Sequence, residues 1–402
     1  MKELKGIQAE IYNYVVEHPG ISPKELARVL GKSRGIITKA IHRIRQKGYY
    51  IIFKDGGYYA ADMNDIDMEE QRIIEETKMR NRELAEKRLL EKLKKEKART
   101  LQIMEWLEEI ITPINPDTIE RFVLPEIKPR DRRSEEVMVA VIGDVHVGRK
   151  TPSYDVDTFI KRLEIYKHSL LKILSLHRNL YPINRLEIMF VGDIIDNTQI
   201  FPGQPWESDA ETILQLEIAY KEFARMIMEI EPNFEEININ CVPGNHGRIS
   251  WTESKHTNWD MVFYKMIEIA LKQYDAIHFH YPDNDQKNYL IREVMGHKFL
   301  ITHGNDIKQY YNLPFYGMTR HAMRWQGAID KDIEYVIFGH FHSINMGWDI
   351  NDIHIMVNGT FISDDQWAIE KLGLKSSTKQ LLFGVSRKRG ITWRYGLDLM
   401  EV

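Results

Sequence analysis

Five apolar runs between residues 137 and 338 of this chain each stop at a short polar segment. VMVAVI runs up to Gly143 and Asp144, EIMFV to Gly192 and Asp193, ININCV to Asn245, KFLI to His303, and YVIF to His340. Short β-rich runs closed in this way predict buried strands. Loops at the carboxyl ends of the strands of an α/β sheet gather along one edge. Segments as far apart as Asp144 and His342 are therefore expected to share one cleft.

The first sixty residues follow a different period. Ile7, Ile11, Tyr14 and Val15 recur at helical spacing, and Ser22, Pro23 and Glu25 form a capping box with proline in the first turn of a short second helix that ends near Gly31. Ser33 is placed to cap a third helix, to about Gln46, which buries Ile37, Ile41 and Ile44 and is expected to present Arg34, Thr38, His42 and Arg45 on the opposite face. YYIIF and YYA then flank Lys54, Asp55, Gly56 and Gly57, where Asp-Gly predicts a hairpin. Three helices and a hairpin resemble a winged helix-turn-helix. That resemblance places the third helix in a DNA major groove, with Arg34, Thr38, His42, Arg45 and Lys54 as the expected nucleic-acid contacts.

Between the two patterns, residues 66 to 111 are rich in Glu, Lys and Arg and reach Pro113 without Gly or Pro. As one helix they would span roughly 65–70 Å. Leu90, Leu93, Met104, Leu107 and Ile111 fall on heptad-like positions interrupted by Lys97 and Thr100. A homodimer through the 90–111 helix is one reading, and a helix packed on its own catalytic domain is the other. Residues 113 to 134, with four prolines, one of them within KPRDRR, read as an irregular tether. The expected domains are thus 1–62, a winged helix-turn-helix; 63–134, a charged helical linker and tether; and 135–402, the catalytic domain.

Charge sharpens the division. Residues 1 to 60 hold eleven Lys or Arg against five Asp or Glu, whereas the whole chain carries a formal net charge of −4. A positive module on an acidic protein is the footprint of a polyanion, here DNA. No long apolar span and no signal-like amino terminus appear, so no membrane partner and a cytoplasmic location are expected. The single cysteine, Cys241, agrees with a reducing compartment and excludes a thiolate metal site.

The polar segments themselves read GDVHVG, GDIIDN, GNHG, THGND and GHFHS. They supply seven oxygen or nitrogen donors: Asp144, His146, Asp193, Asn245, His303, His340 and His342. Imidazole mixed with carboxylate suits manganese, iron or zinc. Two such ions about 3.5–4 Å apart share and acidify a water, which is the expected nucleophile toward a phosphate ester. Asp196 reads either as an acceptor that orients a ligand or as a helix N-terminal carboxylate.

The ordered set resembles the calcineurin-like metallophosphoesterase superfamily over roughly residues 136 to 360. The resemblance implies an α/β fold, a β-sandwich flanked by helices, and two divalent metal ions, manganese first with iron or zinc as alternatives. It implies that Asp144, His146 and His342 hold one ion, that Asn245, His303 and His340 hold the other, and that Asp193 bridges them. His246 is implied to steady or protonate the leaving oxygen, so that His246, Asp193 and His146 are the expected catalytic residues.

Relatives that dephosphorylate proteins read GDxxDRG and GNHE, whereas this chain has Asn197 and Gly247 at the arginine and acid positions. The missing arginine argues against a protein phosphatase, and the missing acid leaves His246 to Asp196 or Asp306. The DxHxG opening and the spacing are more like DNA-repair nucleases of the Mre11 and SbcD kind. Only about sixty residues follow His342, enough for closing strands, so a Rad50-type ATPase partner is not implied. Arg149, Lys150, Arg248, Lys308, Arg320 and Arg324, with Trp251, Tyr310, Tyr311, Tyr316 and Trp325, are candidates for tracking a strand beside the site. The leading expectation is a two-metal DNA nuclease, exo- or endo-. The alternatives are a small-molecule or nucleotide phosphoesterase with a regulatory winged helix, and a DNA-binding scaffold with an idle metal centre.

Overall fold

The computed structural model describes residues 3–61, 77–84, 114–126, 128, 134–201, 203–249, 258–283, 287–308, 314–364 and 376–400, with scattered positions between 87 and 111. The chain divides into two compact units, Met1–Ala98 and Arg99–Val402.

In the first unit, α1 (Ile7–Glu17), α2 (Pro23–Val29) and α3 (Arg34–Gln46) precede β1 (Tyr50–Lys54) and β2 (Gly57–Ala61). Ile11, Val15, Leu26, Ile37, Ile41, Ile44 and Ile51 form its core. Ser22 accepts from the Glu25 N–H at the start of α2, as its capping pattern predicts. Ser33 occupies the cap position of α3 but makes no side-chain cap bond, so the cap expected there is positional only. The hairpin turns at Asp55 and Gly56, both at positive φ, which matches the twist of the strands. Ile21 adds a bridge to Tyr58 that the sequence did not announce.

At 100° per residue the stripe Arg34, Thr38, His42 and Arg45 lies about a quarter turn from Ile37, Ile41 and Ile44 and flanks the buried face instead of opposing it. Lys39, Arg43 and Gln46 are the exposed residues that point away from the core.

The second unit is built on two sheets. Strands β3 (Glu136–Ile142), β4 (Arg185–Phe190), β5 (Glu236–Cys241), β6 (Ile277–His280), β12 (Lys379–Ser386) and β13 (Gly390–Asp398) form one, in the order β13-β12-β3-β4-β5-β6. Strands β7 (Tyr289–Val294), β8 (His297–Thr302), β9 (Ile333–Phe338), β10 (Asn345–Ile350) and β11 (Ile353–Val357) form the other, in the order β10-β11-β9-β8-β7. Strands β3 to β6 run parallel, as do β8, β9 and β11. The residues after His342 supply β10 to β13, the closing strands that the short remainder of the chain predicts.

Every residue of β3 is buried. Val137, Val139 and Val141, with Phe383 of β12, face Phe299, Ile301 and Ile337 of the second sheet. Met138, Ala140 and Ile142 face the helices α4 (Val156–Arg178), α5 (Thr212–Ile230) and α6 (Trp259–Ala270). A strand covered on both faces reads as an unbroken apolar run, which is why VMVAVI shows no alternation. The far side of the second sheet packs Leu300, Val336 and Phe338 on Met318 and Ala322 of α7 (Phe315–Ala328). The result is the sandwich with flanking helices that the motifs imply.

Residues 114–126 depart from a free tether. The Phe122 N–H donates to Glu229 O, the Leu124 N–H donates to Asn233 Oδ1, and the Lys167 ammonium sits 4.8 Å over the Phe122 ring. Leu107 and Ile111 are buried in the same chain's helix-side core. Leu90, Leu93 and Met104 lie outside the described residues. Among the described residues, no helix is long and apolar enough to cross a membrane.

Candidate metal centre

The five polar segments leave the carboxyl ends of β3, β4, β5, β8 and β9, three from one sheet and two from the other. Parallel direction within each sheet brings all five to one end of the sandwich. Two donor groups form there. In each, the ligand atoms lie within 4.8 Å of one another: Asp144, His146 and His342 in one, and Asp193, His303 and His340 in the other. Asn245 Oδ1 is 2.9 Å from His303 Nε2, which is also 2.9 Å from Asp193 Oδ2. His146 Nε2 and His342 Nε2 approach to 3.1 Å. Ring nitrogens converging on each other and on carboxylates inside a protein are arranged as the donors of a cation site are.

The backbone is shaped to this purpose. Asp144, His146, Asp193, Asn197, His340 and His342 all have φ between 49° and 70°. Left-handed backbone at non-glycine residues costs about 1–3 kcal/mol each and persists only where the surroundings enforce it. Here the Asp144 and His146 N–H groups donate to Gly192 O and Asp193 O, and the His340 N–H donates to both Asp144 oxygens at 3.0 and 2.8 Å. Gly244 is required on steric grounds, because a Cβ there would meet Asp193 Oδ1 at 2.1 Å.

Hydrogen bonds on the outer ring nitrogens fix which atom faces the centre. His303 Nδ1 bonds Val191 O at 2.8 Å and His146 Nδ1 bonds Asp196 Oδ1 at 3.1 Å, leaving both Nε2 atoms inward. Asp196 Oδ1 is also 3.1 Å from His246 Nδ1, so one buried carboxylate orients two imidazoles. This settles the partner of His246. Asp306 instead accepts from Asn288 and Asn305.

The electrostatics follow from burial opposed by close pairing. Burial favours neutral His303, but the Asp193 carboxylate beside it prevails and carries the ring up to about 9. Burial would raise Asp193, yet His303 and His246 hold it well below the usual carboxylate range. Burial and the charge on His303 push His340 well down, and burial with His246 lowers His146. Burial opposes the charged form of His246, but Asp193 and Asp196 raise it.

Further side chains support the donor set, some of them outside the motifs. Asp260, in the first turn of α6, accepts from the N–H groups of Asp193, Ile194 and Gly244 at 2.8–3.0 Å. Burial and the neighbouring Asp193 charge raise its carboxyl to about 6. Asn197 donates to His246 O and Arg248 O, so the residue in the arginine position clamps the GNHG loop. Gly247 stands where a Cβ would meet Asn258 Oδ1 at 2.1 Å, which accounts for the absent acid. Asn258, the N-cap of α6, also ties Gly244 O.

The proposed strand-tracking groups fare unevenly. Arg149 pairs with Glu207 at 2.7 Å and lies 3.7 Å from Asp196. Trp325 packs on Phe338 within the core, so it is wall and not platform. Lys150, Lys308, Tyr316, Arg320 and Arg324 are exposed, and Arg248 is half-buried. Trp251, Tyr310 and Tyr311 lie outside the described residues. In the first unit, Arg34, Thr38, His42, Arg45 and Lys54 are exposed. Thr38 Oγ1 donates to Arg34 O, His42 bonds Gln46, and the Arg45 guanidinium donates to Ile51 O in the hairpin.

Comparison with known proteins gives one family: the sequence profile described as Calcineurin-like phosphoesterase matches residues 137–344. No curated protein matches the chain. Similar solved structures include wild-type Vps29 complexed with Zn²⁺ from Entamoeba histolytica, at 10% identity and TM-score 0.30, covering 65% of this chain and 99% of that one. Purple acid phosphatase PPD1 from yellow lupin seeds is 12% identical at TM-score 0.29, covering 67% of this chain and 54% of that one. Phosphopantetheinyl hydrolase PptH from Mycobacterium tuberculosis is 10% identical at TM-score 0.25, covering 59% and 93%.

Proposed function

From the premise that this chain belongs to the calcineurin-like phosphoesterase family, whose members are metal-dependent, we propose that it is a two-metal phosphodiesterase acting on DNA, a nuclease of the Mre11 and SbcD kind. The observation that carries this reading is the union of a buried two-group donor set with a separate basic unit of three helices and a hairpin. The first supports phosphoester chemistry. The second, read as a winged helix, supports a DNA partner.

Asp144, His146 and His342 would hold one divalent ion, Asn245, His303 and His340 the other, and Asp193 would lie between them. Manganese fits this imidazole and carboxylate set, with iron or zinc as alternatives. When bound, such a pair supplies Lewis acidity to the phosphoryl oxygens and acidifies water at neutral pH. The protein's part is positional. Asp196 holds the Nδ1 side of His246, which leaves Nε2 to deliver a proton to the departing oxygen. Asp260 and Asn197 keep the Asp193 and His246 loops in register.

A second reading, a small-molecule phosphoesterase with a regulatory amino-terminal unit, draws support from Arg149, whose guanidinium is already paired with Glu207. The two readings part on substrate. Purified protein with Mn²⁺ is expected to cut DNA, and Asp193→Ala to abolish cutting. Turnover of a small diester or mononucleotide with no cleavage of single- or double-stranded DNA would select the second reading.

A further inference from the structure

Beside the metal centre the chain carries a side chain that neither packing nor the donor set uses. Trp206 is 91% exposed, more than any other large apolar residue among those described. Leaving an indole in water forgoes one of the largest burial gains a side chain offers. Its neighbours in sequence, Pro205 and Glu207, are also exposed, and among residues 203–211 Trp206 is the one exposed large apolar side chain.

The backbone beneath the ring is fastened on both sides. Toward the amino end, Gln204 is buried. Its Oε1 accepts from the Ile200 and Phe201 N–H groups, and its Nε2 donates to Asp196 O at 2.6 Å and lies 3.1 Å from His246 Nδ1. Toward the carboxyl end, the Glu207 carboxylate takes Arg149, Glu207 O accepts from the Lys150 N–H at 2.7 Å, and Ser208 bridges Arg149. Pro205 fixes its own φ between the two anchors. Trp206 thus stands two residues, at most about 7 Å of chain, from a side chain that touches His246, with the exposed Lys150 on the adjoining strand of backbone.

An exposed aromatic on a fastened turn beside a cation suits a planar ring attached to a phosphate, because stacking satisfies the ring face while the cation meets the backbone. An aliphatic chain would need a continuous apolar surface, which the residues flanking Trp206 do not offer. We propose that Trp206 stacks an unpaired nucleobase of the substrate strand and so makes the centre selective for single-stranded or frayed DNA. This rests on the nuclease reading above.

The test uses the full chain with Mn²⁺ and two labelled single-stranded oligonucleotides of equal length, one bearing bases throughout and one abasic at its centre. Trp206→Ala is expected to raise KM on the base-bearing strand by about 5-fold or more, the lower end of what one stacked base contributes. kcat and cleavage of the abasic strand should stay unchanged, and Trp206→Phe should retain most of the wild-type KM. The substituted side chain is exposed, so folding is not at issue. Equal losses on both strands, or no loss on either, overturn the proposal. If wild-type protein hydrolyses small diesters but cuts neither strand, the nuclease reading fails by itself. Stacking is then decided on small substrates: a KM increase for a nucleoside phosphodiester but not for an alkyl phosphodiester upholds it, and parity overturns it.

Discussion

Arg34, Thr38 and His42 stand exposed along a regular helix, each with helical backbone and at most local bonds, while Arg45 beside them reaches Ile51 O in the hairpin. Asp144, His146, Asp193 and His342 are buried, sit in left-handed backbone, and are held by loops from two sheets. The contrast concerns how function fails. Side chains on an open helical face act nearly independently, so each contributes a small, separable increment. Groups in a buried network share partners, and removing one leaves others unsatisfied in a medium where that is costly.

The sharpest way to break this contrast is at Asp196, whose one oxygen orients both His146 and His246. Removing the carboxylate leaves the Nδ1 sides of both rings without their shared acceptor. Asp196→Ala is expected to lower kcat on a small diester by about 10²–10⁴-fold, the range for a displaced general acid. No single change on α3 should approach that figure. A loss under about threefold would mean that the shared carboxylate is a bystander and that the centre is no more cooperative than the helix.

A smaller effect is expected where the chain departs from its phosphatase relatives. Gly247→Glu restores the acid that the motif lacks, but its Cβ would lie 2.1 Å from Asn258 Oδ1 at the N-cap of α6. Overpacking of this kind costs about 1–3 kcal/mol, and it displaces the helix that carries Asp260. Lower stability in urea unfolding, with activity falling and not rising, is the expected outcome. Gly247→Ala should cost nearly as much, because the collision begins at Cβ. A stable, more active Gly247→Glu would show that the loop is looser than its hydrogen bonds imply.

These two sites also mark where the sequence was legible. Strand-terminal motifs announced Asp144, Asp193, Asn245, His303 and His340, because a run buried on both faces followed by a polar break leaves a plain pattern. Asp260 and Gln204 stayed hidden. Each reaches the centre from a helix or turn whose local sequence reads as ordinary capping or loop, and only tertiary placement gives it a role. On α3 the polar stripe of Arg34, Thr38, His42 and Arg45 is only about a quarter turn from Ile37, Ile41 and Ile44, and Ala40 extends the buried face on the side away from that stripe.

The outward face of α3 supplies the gentlest test. Lys39 and Arg43 point away from the core, with no hydrogen bond or ion pair to another described residue, while Arg45 spends its guanidinium on Ile51 O. If the first unit grips DNA through an open helical face, Lys39→Ala and Arg43→Ala should each reduce the salt dependence of DNA binding by about one unit of slope per lost phosphate contact. The double variant should give the sum, and hydrolysis of a small diester should not change. Arg45→Ala should instead loosen the hairpin and appear first as a lower melting temperature. Fluorescence anisotropy across a salt series reads the slopes directly. A flat response at Lys39 and Arg43, with a full loss at Arg34 and His42, would turn the DNA-facing side of α3 back to the flank. Strong non-additivity of the pair would mean that this surface behaves as a network, as the metal centre does.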